Sequence, residues 1–362
     1  MADDNGFKMT STIPENERKC PNCGGTLTYN PNAEKLFCSF CGKYKEINRG
    51  THDNVQVKGV AYSDILNSNF ATPGDKCKLL SCGNCGAELI YDSTQISGSC
   101  PFCGSTNNIP VASPGSVMRP SGIIPFSIDE NRARISFGEY LKSELLILNT
   151  NRYALENLVP VYLPYFSFDS DTVSDYLIDI GYRDSDGDIH YKTCKGSYKE
   201  SFSDITVFAS SKTQNDQIDK IREFQLSSVL PFNPDYMAGY YAERNSMTLK
   251  HAYEVVQYNI TEVLNENIPE YALRKFKGDK YKDLRYKTKY SDTNYKYILA
   301  PFYLASLTHK GKKYDVAING YNGDVACAKP SARKLLKKLL ITLGIIAAGA
   351  FIGYLIYLFL NG

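Results

Sequence analysis

The chain has 362 residues, a formal net charge of +2 and 22% charged residues. This length is sufficient for two or three domains with a sizeable core. A net charge so close to zero excludes a global basic field that would attract nucleic acid. Eleven cysteines, eight of them in a metal-binding pattern, favour a reducing compartment over a disulfide scaffold.

The N-terminal stretch 1–17 is polar and lacks the apolar core of a secretory signal. We therefore expect a flexible N-terminus, followed by the first structured segment at 18–48.

Eight cysteines form four Cys-x-x-Cys pairs, and the whole arrangement recurs after 62 residues, from Cys20 to Cys82. In each copy, fourteen residues separate the two pairs. Two such pairs supply four thiolates, which suit the tetrahedral geometry of Zn²⁺ at about 2.3 Å per bond. The predicted ligands of two structural zinc sites are Cys20, Cys23, Cys38, Cys41, Cys82, Cys85, Cys100 and Cys103.

A glycine directly follows the second cysteine of every pair, which lets the backbone turn towards the sulfurs. We therefore predict two small β zinc ribbons, ribbon 1 at 18–48 and ribbon 2 at 76–109. Iron in a rubredoxin-like site at Cys100–Cys103 is the alternative, and zinc is favoured. A ribbon of this size buries too little apolar area to fold alone, so the metal supplies stability.

Between the ribbons, residues 49–75 form a connector in which 60–70 could make a short helix. Proline and glycine mark 110–122 as a linker and a domain boundary. From 123 to 328 the composition shifts to tyrosine, phenylalanine, valine and isoleucine, which predicts an α+β domain built on an antiparallel sheet.

Periodicity within this domain predicts helices over 130–148 and 249–265. Strands are predicted at 159–168, 172–182 and 189–198, with a hairpin formed by 314–319 and 324–328. The stretch 230–235 echoes 124–129, and Tyr297–Leu304 resembles Val161–Phe166, which hints at two diverged halves.

The end of the chain carries a basic segment at 329–338, followed by 22 uncharged residues at 339–360. As a helix these would span about 33 Å, enough for a bilayer core of about 30 Å. The positive-inside rule then predicts a tail-anchored, single-pass membrane protein with its N-terminal domains in the cytoplasm. Gly349 and Gly353 could pair two such helices into a homo-oligomer, although glycine is common in membrane helices.

Motifs for a P-loop, dinucleotide binding, a zinc protease or a serine hydrolase are missing from the sequence. His190 and Cys194 are four residues apart, about 13 Å along a strand, which disfavours a catalytic dyad. Asp184, Asp186 and Asp188 favour a solvated turn over a calcium loop, since the glycine comes too early. Cys77 and Cys327 are interpreted as buried thiols. We therefore expect no enzyme and no catalytic residues.

These features together resemble a known family. The tandem Cys-Pro-x-Cys-Gly ribbons, Ile124–Phe126, Pro164–Phe166, Ala300–Tyr303 and Ala317–Gly320 resemble those of bacterial TFIIB-type zinc-ribbon membrane proteins. Some of these are labelled PriA-helicase-like, and the YdjG-type proteins are one branch. The resemblance implies a membrane scaffold that recruits partners such as SPFH-domain or PspA-like proteins. The helicase label finds no support here, because ATPase motifs are missing from the sequence.

The sequence therefore predicts a non-enzymatic, tail-anchored membrane adaptor that presents two zinc ribbons to cytoplasmic proteins. The alternative is a membrane-tethered zinc-ribbon protein that binds nucleic acid in replication or transcription. Neither ribbon carries the lysine and arginine cluster that phosphate binding requires, so this alternative is not favoured.

Overall fold

A computed structural model gives the structure of the chain, and strands are its commonest secondary structure. The predicted flexible N-terminus at 1–17 lies outside the described residues. These are 19–48, 57–65, 77–84, 86–92, 108–110, 118–143, 155–210, 215–221, 226–309 and 311–328, together with Cys100, Ser105, Leu343 and Gly349.

Ribbon 1 forms a small antiparallel sheet of three strands: β1 (Leu27–Asn30), β2 (Lys35–Cys38) and β3 (Tyr44–Lys45). Strand β2 lies in the middle and alternates in burial, because its successive side chains point to opposite faces. Leu36 and Cys38 are buried, whereas Lys35 and Phe37 are half-buried. This alternation fixes the register of β2 and places Cys38 on the inner face.

The second cysteine segment and its surroundings contribute β4 (Val60–Ala61), helix α1 (Tyr62–Ile65), β5 (Cys77–Cys82), β6 (Glu88–Asp92) and β7 (Asn108–Pro110). Strand β5 pairs antiparallel with β6 on one side and β7 on the other. Helix α1 falls within the short helix predicted at 60–70, but Val60 and Ala61 form strand β4, and 66–70 lie outside the described residues.

The rest of the described chain contains two longer helices and a set of strands of very unequal length. In chain order these are β8 (Gly122–Ile123), α2 (Glu130–Ser143), β9 (Leu155–Arg183), β10 (Ile189–Phe208), β11 (Leu230–Pro231), β12 (Tyr241–Glu243), α3 (Leu249–Phe276), β13 (Lys280–His309), β14 (Lys312–Asn319) and β15 (Val325–Cys327). Single-turn 3₁₀ helices lie at Ile218–Lys220, Leu226–Ser228 and Pro234–Met237.

Among the described residues, one 12-stranded sheet follows the order β11-β8-β13-β9-β12-β6-β5-β7, with β4, β10, β14 and β15 attached to its sides. Two short strands pair in parallel with the two longest ones: β8 with β13 and β12 with β9. Each short strand comes before a helix, and that helix leads into the other long strand. The order short strand, helix, long strand therefore occurs twice along the chain, as β8-α2-β9 and as β12-α3-β13.

Helix α3 is 28 residues long and buries a narrow stripe of apolar side chains. The stripe repeats every four residues, so consecutive members lie on the same side of the helix while the whole stripe winds slowly around it. Thr248 caps the helix, with its hydroxyl oxygen accepting from the N–H of His251, and Lys277 ends it with φ of 55°. The stripe consists of Ala252, Val256, Ile260, Leu264, Ile268 and Ala272.

The described chain divides into two compact units, each with its own core. The first comprises 1–125, 161–213 and 224–301, and its fully buried side chains include Tyr162, Phe166 and Phe168. The second comprises 126–160, 214–223 and 302–362, in which the Phe126 and Tyr303 rings meet edge to face at 5.0 Å.

The predicted fold class was wrong. It combined two separate zinc ribbons, an antiparallel α+β domain and a transmembrane helix, whereas the described residues form a mostly β structure dominated by one large sheet. Strand β6 of ribbon 2 pairs with β12, so this ribbon belongs to that sheet. The sheet also contains parallel pairs, and the strands predicted at 159–168 and 172–182 are one continuous strand, β9.

The predicted location, a tail-anchored protein with a single span, is also corrected. Within the described ranges, no helix is long and apolar enough to cross a membrane. Helix α2 has 14 residues, against about 20 for a span. Helix α3 is long enough but carries charged side chains along its exposed face, such as Glu254, Glu262 and Glu270. The predicted basic segment at 329–338 and span at 339–360 lie outside the described residues, apart from Leu343 and Gly349.

Candidate metal centre

Ribbon 1 brings its four predicted ligands together. Cys20 and Cys23 precede β1, Cys38 ends β2, and Cys41 lies in the turn that follows. The Sγ atoms of Cys20 and Cys41 are 3.4 Å apart, those of Cys23 and Cys38 are 3.5 Å apart, and all four lie within 4.8 Å of one another. Four sulfurs around one tetrahedral Zn²⁺ would lie about 3.8 Å apart. The cluster therefore has the size and donor set to hold a metal ion.

Each cysteine pair of ribbon 1 is shaped by the same two backbone hydrogen bonds. The N–H of Gly24 donates to the carbonyl oxygen of Cys20 at 2.8 Å, and that of Gly42 donates to Cys38 at 2.9 Å. The N–H of Cys20 donates to the carbonyl oxygen of Gly25, and the N–H of Cys38 donates to the carbonyl oxygen of Lys43. Gly24 and Gly42 have φ of 75° and 71°, which explains why glycine occupies these positions.

The four sulfurs differ in exposure. Cys20 and Cys38 are buried, Cys41 is half-buried and Cys23 is exposed. The N–H of Gly25 acts to lower the pKa of the Cys23 thiol, but the neighbouring thiols of Cys41 and Cys38 raise it to about 12. Sulfurs this close cannot all ionise without a counter-charge, and a divalent cation at their centre would stabilise all four thiolates.

Ribbon 1 is fixed to the loop that precedes β12. The N–H of Tyr29 donates to the carbonyl oxygen of Ala238 at 2.8 Å, and the Tyr29 ring meets that of Tyr236 at 5.4 Å. Asn233 adds a hydrogen bond from its side-chain amide to the carbonyl oxygen of Asn48 at 3.0 Å. These contacts lie within the first compact unit and hold the four-cysteine cluster next to the 233–240 loop.

Two of the four predicted ligands of ribbon 2 are described, and both are buried. Cys82 is 1% exposed and Cys100 is 2% exposed, in a cluster with Ala87 and Leu89. Cys85 and Cys103 lie outside the described residues, so the second site is not tested by sulfur positions.

The backbone of ribbon 2 repeats the hydrogen bonds of ribbon 1. The N–H of Gly86 donates to Cys82 at 2.8 Å, the N–H of Cys82 donates to Ala87 at 2.9 Å, and that of Cys100 donates to Ser105 at 2.7 Å. Gly86 has φ of 72°, close to the values in ribbon 1. Cys82 therefore has both backbone hydrogen bonds found around Cys20 and Cys38, and Cys100 has one of the two among the described residues.

Ribbon 2 is held more extensively than ribbon 1. Strand β6 pairs antiparallel with β12, with Leu89 opposite Glu243. Next to this pair, the Arg244 guanidinium and the Glu88 carboxylate lie 2.8 Å apart, and the N–H of Arg244 donates to the Glu88 carbonyl oxygen. Because β12 also pairs with β9, the second ribbon is linked through the short strand β12 to the long strand β9.

The other candidate groups do not form a second chemical site. His190 contacts Asp184, with Nε2 and Oδ2 2.7 Å apart, whereas Cys194 is buried. This contact with His190 lowers the pKa of Asp184, whose carboxylate also accepts from the N–H groups of Asp186 and Asp188. The Asp184 oxygens are thus used in closing the β9–β10 turn.

Sequence reasoning missed a buried polar pair next to ribbon 2. The Ser210 hydroxyl donates to a carboxylate oxygen of Glu243, which is fully buried. No spacing in the sequence marks these two residues, because they are brought together only when β12 enters the sheet. The tyrosines that dock ribbon 1 were missed for the same reason.

The chain was compared with known proteins. No family model matches it, and no solved structure matches it. It is 26% identical over 340 residues to a Bacillus subtilis (strain 168) protein named uncharacterized protein YdjG, a match covering 87% of this chain and 90% of that one. The expected similarity to YdjG is thus confirmed over most of the chain, while none of these comparisons supports the resemblance to TFIIB-type zinc-ribbon proteins.

Proposed function

We propose that this chain is a non-enzymatic adaptor that presents two zinc-stabilised ribbons to protein partners. The observation that carries the proposal is the closed cluster of four cysteine sulfurs in ribbon 1. Four protein thiolates fill the coordination shell of a tetrahedral ion, which leaves no position for a water or substrate. A metal held this way shapes a surface and does not perform chemistry.

Zinc is the metal that fits this proposal best. It prefers four sulfur ligands in a tetrahedron and has no redox chemistry to disturb a structural role. Ribbon 2 would supply the second site, a proposal supported by the backbone hydrogen bonds at Cys82, which repeat both of those in ribbon 1, and at Cys100, which repeats one of them. Cys85 and Cys103 would complete that site.

Metal analysis tests the two sites. We expect two zinc ions per purified chain, one for each set of four cysteines. Cys20→Ser and Cys82→Ser should each remove one ion, because three thiolates bind zinc far more weakly than four. Cys327→Ser is the matched control, since Cys327 is a buried thiol outside both sets. An iron content that equals or exceeds zinc would contradict this assignment.

Crosslinking in cells followed by mass spectrometry tests the adaptor function. The wild-type chain should yield defined protein partners, and Cys20→Ser or Cys82→Ser should lose them while Cys327→Ser retains them. Recovery of crosslinked nucleic acid in place of protein would favour the alternative, a zinc-ribbon protein that binds nucleic acid. If the same partners are still recovered with both ribbon variants, the proposal that the ribbons present a binding surface is wrong.

A further inference from the structure

Strands β9, β10 and β13 form a long three-stranded layer in the first compact unit. Residues 189–202 of β10 pair with 170–183 of β9. On the other side of β9, the Ser170 hydroxyl lies 2.9 Å from that of Thr293, and Ser174 lies 2.8 Å from Thr288. These two contacts show that β13 runs antiparallel to β9, because the position rises in one strand as it falls in the other.

Helix α3 covers one face of this layer. The Asn267 amide donates to the Glu200 carboxylate at 2.9 Å, and the Tyr271 ring meets that of Tyr198 at 5.1 Å. Tyr198 and Glu200 therefore point towards the helix. Their neighbours Lys195 and Lys199 differ from them by odd numbers of residues and so point to the opposite, solvent-exposed face.

On that solvent face, charge alternates from strand to strand. Strand β10 carries Lys195 and Lys199, while the central strand β9 carries an acidic row of aspartates, two of them exposed and the third half-buried. Strand β13 carries a second basic row. The aspartates are Asp171, Asp175 and Asp179, and the second basic row is Arg285, Lys287 and Lys289. Lys195 and Lys199 pair with Leu177 and Val173, so the aspartates lie diagonal to the lysines on the same face.

Strand β10 pairs with β9 alone among the strands that the structure describes, so its other edge has no described partner. Its register with β9 is regular from Ile189 to Phe202. The corresponding edge of β13 is interrupted, because Asp283 and Asp292 have φ of 52° and 48°, as in β-bulges. The β10 edge is therefore the better template for an added strand.

A second copy of this chain does not suit the β10 edge. Antiparallel pairing of β10 with itself about Ser197 would place Lys195 of one copy opposite Lys199 of the other. Like charges directly opposite each other destabilise a strand pair. Lysines on an edge strand commonly prevent pairing between two copies of a chain, and they also select a partner of opposite charge.

We propose that the edge of β10 for which the described residues provide no partner binds an extended acidic segment of a partner protein, which adds to the sheet as a further strand. Its backbone bonds to the open N–H and C=O groups of β10, and its alternate aspartates or glutamates oppose Lys195 and Lys199. The added strand would repeat the acidic row of β9 on the other side of β10. This surface is separate from the cysteine clusters, so it stands or falls independently of the zinc sites.

The test uses the purified full-length chain and a labelled peptide of about ten residues in which aspartate alternates with valine. Fluorescence anisotropy should show saturable binding, and a peptide with lysine in place of aspartate should not bind. The double variant K195E/K199E should bind the acidic peptide about tenfold more weakly, since two opposite-charge pairs become like-charge pairs.

The matched control is K287E/K289E, which makes the same charge change on the exposed face of β13. It should change peptide affinity less than about twofold, because exposed charges without direct contact are screened by salt. Hydrogen exchange should also slow at the backbone amides of β10 when the peptide is bound.

Three results would overturn the proposal. Equal weakening by the two double variants would mean that net charge alone attracts the peptide. Tighter binding of a single-stranded oligothymidine, lost in K195E/K199E, would make the partner a nucleic acid. Formation of a dimer that K195E/K199E abolishes would make the occupant a second copy of the chain.

Discussion

The glycine after each cysteine pair sets the geometry of the candidate metal centre. Gly42 has φ of 71°, and a Cβ placed on it would meet no atom within 4 Å. The requirement for glycine is therefore one of backbone conformation and not of space. An L-residue in this left-handed region is about 1–2 kcal/mol less stable than glycine.

Gly42→Ala tests this requirement. We expect it to weaken zinc binding by about tenfold, because the strained turn opposes closure of the cysteine pair. Competition with a chromogenic chelator measures the affinity. Gly138→Ala is the matched control, since Gly138 also has open space around a Cβ but lies within helix α2. An unchanged zinc affinity in Gly42→Ala would show that the turn geometry is not limiting.

Tyr295 gives the first compact unit a defined response to alkaline pH. Burial raises the pKa of Tyr295 to about 12, from an ordinary value of 10.0. The folded state thus favours the neutral phenol, and its contribution to stability is complete below pH 10 and is lost as the pH rises towards 12. Tyr295→Phe keeps the ring contacts with Phe166 and Phe168 and should lose less stability across this range. Urea unfolding at pH 9 and at pH 11.5 measures the difference, and an identical loss in both proteins would contradict it.

For individual residues, the sequence predicted the ligands that are set by local spacing but not the contacts between distant parts of the chain. The four ligands of ribbon 1 were predicted from spacing, because a Cys-x-x-Cys turn is a local device. Tyr29 gave no such signal, since its partner Tyr236 lies more than 200 residues further along the chain. The Glu243 carboxylate, buried beside Ser210, was missed for the same reason.

Helix α3 shows why the sequence revealed that a helix is present but not the residue at which it ends. The helix was predicted to end at 265, but the buried stripe continues to Ala272. Pro269 lies inside the helix and weakened the pattern there. The long strands were underestimated because the alternation of β9 is lost where both of its faces are buried, near Tyr162 to Phe168.

The buried stripe of α3 makes a direct prediction. Leu264 is fully buried, whereas its neighbour Val263 is 41% exposed. Leu264→Ala should lower the free energy of unfolding by about 3 kcal/mol, from lost burial and the cavity left behind. Val263→Ala is the control and should change stability by about 0.5 kcal/mol or less. Urea unfolding of the two variants gives the comparison, and similar losses would mean that α3 does not pack through this stripe.

For the whole molecule, the two ribbons differ in how they join the large structure. Ribbon 1 has its own three-stranded sheet and contacts the 233–240 loop through a few groups around Tyr29 and Asn233. Ribbon 2 shares strand pairing with β12, which itself pairs with β9. This difference was invisible in the sequence, where the two cysteine patterns have identical spacing. Strand pairing across the chain, not local spacing, decides which ribbon is part of the sheet.

The two ribbons should lose their zinc ions in a defined order. Ribbon 1 lies in a three-stranded sheet of its own and has one exposed ligand, Cys23, whereas strand β6 of ribbon 2 pairs with β12 of the large sheet. A chelator should therefore remove the zinc of ribbon 1 first, by local opening, while the zinc of ribbon 2 leaves only when the surrounding sheet opens. Native mass spectrometry during treatment with EDTA should show an intermediate with one zinc ion. Cys82→Ser, which retains ribbon 1, should lose its remaining zinc faster than Cys20→Ser, which retains ribbon 2. Equal rates in the two variants would show that strand pairing with the large sheet does not protect the second metal site.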